Sequence, residues 1–414
     1  MIKKEQQKIG LIILGALVGI FIFSYGIIPF FTKDVYDPLS AEATAGNDTI
    51  LGTTTPPVPE PPKIVHVKTP AVVKGIYMSA CVVGTKDFRE SLVHIADTTE
   101  INSIMIDVKD FSGMLSFKPE DPSLHEYVSP KCGARDMMDF LKYLHSKDIY
   151  VIARVTVFQD PFYPTLHPEA AIKKKSDGGI WKDKKGLSFL DPSSRQAWDH
   201  TVAIAKASYD IGFDEVNFDY IRYPSDGNVS DISLPAGTSK PEALETFWKY
   251  LDEKMKEHSI PTSADLFGMT TTNFDDLGIG QVLERALPHF DYVMPMVYPS
   301  HYPPGFNGWK NPNTVVYDLI HYVMKRGVER TVATSSPINT LASEYIASTS
   351  PSMYTKESYE PSKLRTWIQD FDYGGDYGPV EVRAQIQASN DVGVDSWIIW
   401  SPSNKYTVAA LKSE

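Results

Sequence analysis

What this chain lacks narrows its function first. Among 414 residues there are only two cysteines, Cys81 and Cys132, too few for a disulfide framework and at no metal-ligand spacing. One bridge between them stays open, but two small, buried, apolar side chains are the expectation. No HExxH, no CxxC pair and no DxDxDG loop occurs, so no metal is expected. No GxGxxG follows an apolar run and no GxSxG appears, which argues against a dinucleotide crevice and against a serine hydrolase. No cofactor of any kind is expected. Positive charge is scarce as well: the formal net charge is −12. Lysine and arginine form no stripe able to neutralise a run of phosphates, so nucleic acid is not an expected partner.

One long uncharged run is present, at 9–31. It is long enough to cross a hydrocarbon core of ~30 Å, which takes about 20 helical residues. A signal peptide has a shorter apolar region, roughly 7–15 residues, so an uncleaved transmembrane anchor is predicted. Lys3, Lys4 and Lys8 precede it and hold the tail 1–8 in the cytoplasm by the positive-inside bias. The expectation is a single-pass protein of the cell membrane that touches the lipid bilayer through this helix. Residues 32–72 contain TTTPPVPEPP, a composition that cannot bury a core and reads as a disordered linker. The rest, 73–414, is predicted to be one extracytoplasmic domain.

In that domain short apolar runs alternate with helical stretches. The runs fall at 75–82, 103–110, 150–158, 215–223, 261–268, 292–299, 330–337 and 395–402. Alternating strand and helix implies parallel strands, and eight units imply an α/β fold of the closed (β/α)8, or TIM-barrel, type. Side chains alternate between faces along a strand. In run after run the polar residues share one parity: Asp107 and Lys109, Arg154, Asn217 and Asp219, Ser263 and Asp265, continued by Tyr77, Tyr298 and Trp400. That parity must face the lumen, because carboxylates buried under the helices would lack partners. Most of these residues lie late in their strands, at the C-terminal mouth where barrel enzymes work.

The predicted mouth holds carboxylates (Asp107, Asp110, Asp219, Asp265), cations (Lys109, Arg154, Arg222) and aromatic rings (Tyr77, Tyr298, Trp400, with Trp181 a further candidate). Such a set suits a polyhydroxylated ligand such as a polysaccharide. Glycoside hydrolysis takes two carboxyl groups, one ionised beneath the sugar ring and one protonated beside the leaving oxygen. Asp219 and Asp265 are the predicted pair. Asp219 is read as nucleophile or electrostatic stabiliser, kept ionised by Arg154 or Arg222. Asp265 is read as acid/base, raised by burial beside a second carboxylate; the reverse assignment stays open. Tyr77, Asp107, Lys109, Arg154, Asn217, Arg222, Tyr298 and Trp400 are the predicted substrate contacts. Asp107 and Lys109 could instead form a structural ion pair, and His301 reads as a solvated loop histidine. The stretch 338–363 is too long for an ordinary connection and reads as a lid or as an unstructured excursion.

The segments GIYMSA, IMIDVKDFSG, ARVTVFQDP, GGIWKDKKGLSFLDPSSRQAW, GFDEVNFDYIRYPSDG and VDSWIIWSPSN together resemble a bacterial family of glycosyl hydrolase domains. The resemblance implies a TIM barrel active on sugars. FDEVNFDYI and MPMVY are also similar to chitinase-type barrels, whose DxxDxDxE motif falls on Asp214, Asn217, Asp219 and Ile221. The acidic fourth position is missing, so chitinase chemistry does not carry over. FDYIRYP looks more like α-amylase-type barrels, which implies Asp219 as nucleophile and Asp265 as acid. Those barrels add an aspartate on strand seven, and RTVATSSP has none. The rival reading is a non-catalytic carbohydrate-binding or cell-envelope scaffold on the same barrel.

Overall fold

The computed structural model describes residues 64–339 and 352–413. The predicted tail, the anchor and linker residues 32–63 lie outside them, as do residues 340–351 of the long insert. Among the described residues, no helix is long and apolar enough to cross a membrane. Residues 64–72 run without helix or strand, yet they are tied to the barrel: Val67 N donates to Asp214 Oδ1 at 2.7 Å, and the Thr69 and Tyr150 hydroxyls lie 3.0 Å apart.

Ten strands occur among the described residues: β1 Lys74–Met78, β2 Ser103–Lys109, β3 Tyr150–Thr156, β4 Glu215–Asp219, β5 Thr262–Phe267, β6 Tyr292–Met296, β7 Ser335–Ile338, β8 Ser352–Thr355, β9 Thr366–Gln369 and β10 Trp397–Trp400. Eight of them close a barrel in the order β1-β10-β9-β6-β5-β4-β3-β2, and every pairing is parallel. Helices Lys86–Thr98, Met137–His145, Arg195–Asp210, Lys240–Glu257, Val316–Val332 and Pro379–Asn390 cover the outside. Local chemistry sets their ends. Ser239 and Glu242 form a capping box before Lys240–Glu257, with a proline in its first turn, so two orphan backbone donors are satisfied.

One strand differs from the sequence expectation. Residues 330–337 are not the seventh barrel strand. Arg330 to Val332 end the helix Val316–Val332, and β7 pairs antiparallel with β8 in a separate two-stranded sheet. The reason is tertiary. Arg330 is buried and donates to both oxygens of Glu284, at 2.7 and 2.5 Å, and to the carbonyls of Thr270 and Asn273, bonds that hold this turn helical. The true seventh strand is β9, four residues long and buried throughout.

The parity argument holds on β2 as far as Asp107, and on β3, β4 and β5. Ile76, Ile106, Val108, Ala153, Val155, Val216, Phe218 and Leu266 pack outward in the main core. A separate lumen cluster contains Tyr77, Met105, Tyr150, Ile152, Met294, Trp367 and Ile398. Below it, Glu215 accepts from Arg365 Nη1 at 2.8 and 2.9 Å and from the Tyr150 hydroxyl at 2.9 Å. The Arg365 guanidinium stacks 3.4 Å from the Tyr292 ring centroid. The lumen is thus polar at its lower end and apolar in the middle, and charged groups are left to gather at the mouth.

Candidate active site

The mouth is organised by Arg154. Register places it opposite Asp107 on β2 and Asn217 on β4. Its Nη1 donates to Asp107 Oδ1 at 2.5 Å, its Nη2 to Asp219 Oδ2, and its Nε lies 3.6 Å from Asp265 Oδ2. Burial would lower its pKa, but Asp107 and Asp219 more than offset that and hold it well above the ordinary arginine value. Asp107 also accepts from the Tyr77 hydroxyl. Burial raises the Asp107 carboxyl, with Arg154 opposing.

Asp265 is wholly buried yet lines the cavity. Its Oδ1 accepts from Asn217 Nδ2 at 2.9 Å and from Trp367 Nε1 at 2.7 Å, while its Oδ2 has no hydrogen-bond partner among the described residues. Burial first, and the charge of Asp219 second, push this carboxyl well above the usual carboxylate range. Such a setting favours the neutral carboxylic acid over the carboxylate. Asp219, one strand away, receives the Tyr220 backbone N–H on Oδ1 at 2.5 Å. That contact depends on an unusual turn: Tyr220 has φ of 52°, a left-handed conformation that a bulky residue adopts only where its surroundings impose it.

A cavity of about 300 Å³ opens above this pair, lined in part by Arg154, Asp219, Tyr220, Arg222, Asp265 and Trp367. Tyr298 and Trp400 form a stacked aromatic wall with centroids 5.1 Å apart. Burial, then the charges of Asp265 and Asp219, raise the Tyr298 hydroxyl well above its ordinary value.

The structure therefore brings together Asp107, Arg154, Asn217, Asp219, Asp265, Tyr77, Tyr298 and Trp400. Arg222 lines the cavity but turns its Nη1 to the Tyr223 carbonyl, 3.0 Å away, and lies over the Tyr220 ring; Arg154, not Arg222, pairs with Asp219. Lys109 is elsewhere. An irregular register between Asp107 and Lys109 turns its ammonium to Asp160 at 2.7 Å and to the carbonyls of Thr156 and Val157, so it neither pairs with Asp107 nor lines the cavity. Trp181 is buried and donates to the Asn228 carbonyl. Of the chitinase-motif positions, Asp214 lies at the far end of β4, bonded to His145 Nε2 and Val151 N, and Ile221 is buried.

Sequence reasoning missed Trp367, because it misplaced the seventh strand, and Tyr220, whose backbone conformation no spacing announces. His301 is exposed but lines the cavity. The seventh strand does end beside an acid, Asp370, but its carboxylate accepts from the Thr407 amide and hydroxyl at 2.7 Å each and is spent on holding the C-terminal segment. The cysteines are also not two buried apolar residues: Cys81 is exposed, Cys132 half-buried, and they form a disulfide. No group of three or more His, Cys, Asp or Glu residues able to hold a metal occurs among the described residues.

The class defined by fold and site is a parallel eight-stranded barrel with carboxyls and aromatic rings gathered at its C-terminal mouth, where barrel enzymes work. The chain belongs to the family described as "Putative glycosyl hydrolase domain", whose model matches residues 75–406. Among solved structures, the glycoside hydrolase domain of PgaB (BpsB) from Bordetella bronchiseptica is similar over 82% of this chain and 99% of that one, at 12% identity and a TM-score of 0.54. A hypothetical protein from Ruminiclostridium thermocellum is 32% identical over 46% of this chain and 96% of its own, with a TM-score of 0.42. A chitinase from Chromobacterium violaceum matches 82% of this chain and 98% of its own at 13% identity and a TM-score of 0.45. No match was found among curated proteins.

Proposed function

We propose that this chain is a membrane-anchored, extracytoplasmic glycoside hydrolase that cleaves a polysaccharide with Asp265 as acid and Asp219 as the charge beneath the sugar ring. One observation carries the reading. Two carboxyls on adjacent strands line the same cavity, one ion-paired with Arg154 and the other buried, with its pKa pushed well above the usual carboxylate range. Glycosidases divide the labour of two carboxyls in this way. In the bond-breaking step Asp265 gives its proton to the glycosidic oxygen, which departs with the electron pair of its bond to the anomeric carbon. Asp219 offsets the positive charge that develops on that carbon. Water then supplies hydroxyl to the carbon and a proton back to Asp265. Tyr298 and Trp400 offer ring faces on which the apolar face of a sugar packs.

The uncharged run 9–31 supports the anchor. The Cys81–Cys132 bridge supports the extracytoplasmic placement, since such bonds persist in oxidising compartments.

A second reading, a carbohydrate-binding barrel without catalysis, is favoured by one feature. Arg154 braces Asp107, Asp219 and Asp265 together, as a purely structural cross-link would. The test is the full chain incubated with a panel of envelope and plant polysaccharides, read for new reducing ends and, separately, for binding. New reducing ends from at least one polymer are expected; binding without them supports the second reading.

A further inference from the structure

Beside the catalytic cavity lies a second compartment, of about 650 Å³, roughly twice the volume of the first. The two adjoin, because Arg154, Tyr220 and Trp400 line both. Binding sites for drug-sized molecules span about 300–1,000 Å³. The first compartment alone stands at the lower limit of that range, and the second adds more room than one further sugar ring requires.

Its wall is built for an extended partner. Phe111 is 62% exposed, a large apolar ring facing the compartment rather than the core. Asp110 stands beside it: its Oδ1 accepts from the Ser112 amide and hydroxyl at 2.9 and 2.5 Å, while Oδ2 has no hydrogen-bond partner among the described residues. An aromatic face next to a free carboxylate oxygen suits a sugar ring and its hydroxyl donors. The outer rim is fixed covalently, since Cys81 and Cys132 both line the compartment and are bonded to each other. Next to Cys132, Gly133 lets the chain pack against the Ser116 backbone. Its φ is 117°, and a Cβ there would fall 2.1 Å from the Ser116 carbonyl oxygen. Tyr220, in its imposed left-handed turn, forms the sill between the compartments and at the same time directs its amide to Asp219.

We propose that the substrate is a glycan chain lying across this sill, its sugar units occupying both compartments, so that cleavage falls within the chain rather than at its end. The inference rests on the hydrolase reading and adds where along the polymer the bond is broken. Phe111 is then a specificity-determining contact, remote from the reacting atoms.

The test uses the full chain and whichever polymer of the panel releases reducing ends. Product lengths are followed from the first few per cent of reaction, for wild type and Phe111→Ala. Expected early products are several sugar units long, with polymer size falling before monosaccharide appears. Loss of one stacking contact, of order 0.5–1.5 kcal/mol, raises KM for the polymer about two- to tenfold, with kcat much less affected. The exposed position of Phe111 leaves folding out of the comparison. Monosaccharide as the sole early product, or an unchanged KM in Phe111→Ala, would overturn the inference while leaving the hydrolase reading intact. Absence of new reducing ends from every polymer would instead overturn the hydrolase reading beneath it.

Discussion

Burial, and then the negative charge of Asp219 beside it, push the Asp265 carboxyl well above the usual carboxylate range. Its pKa in the fold lies above the unfolded value. The stability it contributes is therefore complete below the ordinary carboxylate range and is lost as pH rises through the folded pKa. Asp265→Asn retains an acceptor for Asn217 and Trp367 and has no proton to lose. Relative to wild type, the variant should gain stability as pH rises above the carboxylate range; Tm of both proteins from about pH 4 to 9 checks this, and parallel curves would contradict it. Arg154→Met tests the cation at the centre of the mouth. Removing one partner from a buried ion pair costs about 3–5 kcal/mol, and three carboxyls lose their shared partner here. Urea unfolding should show a loss of that order at neutral pH, recovered in part at acid pH where the raised Asp107 carboxyl takes up a proton. Alternation of polar and apolar residues made Asp107, Arg154, Asn217, Asp219 and Asp265 legible in the sequence. It failed at Lys109, where a register irregularity broke the period, and it could not report the backbone turn at Tyr220.

Elements were readable where their chemistry is local. The helix Lys240–Glu257 announces itself through Ser239 and Glu242, and the strands at 74–78, 103–109, 150–156, 215–219, 292–296 and 397–400 carry strong apolar runs. The seventh strand was not readable, because Thr366–Gln369 is short and RTVATSS has the β-branched composition of a strand. What decides is Arg330, whose bonds to Glu284, Thr270 and Asn273 lie far away in sequence. The disulfide was equally invisible, since two cysteines 51 residues apart reveal nothing of their distance. A loop of that length implies stabilisation of about 4 kcal/mol in the chain-entropy account, with typical measured values of ~2–4. Cys81→Ser with Cys132→Ser should lower unfolding free energy by that order in urea. A change below about 0.5 kcal/mol, the size of an ordinary surface substitution, would show that the bridge constrains little.

For the whole molecule, the barrel follows from alternating strand and helix, and the place of the site follows from parity and from position along each strand. What the barrel does is argued from the site, because this fold carries many chemistries. The most direct test measures kcat on the polymer that wild type cleaves, for Asp219→Asn and Asp265→Asn in the full chain. A positioned proton donor is worth about 10²- to 10⁴-fold, so Asp265→Asn should lose activity by that factor, Asp219→Asn by a comparable one, and both should still bind the polymer. Undiminished cleavage in either variant would contradict the two-carboxyl account.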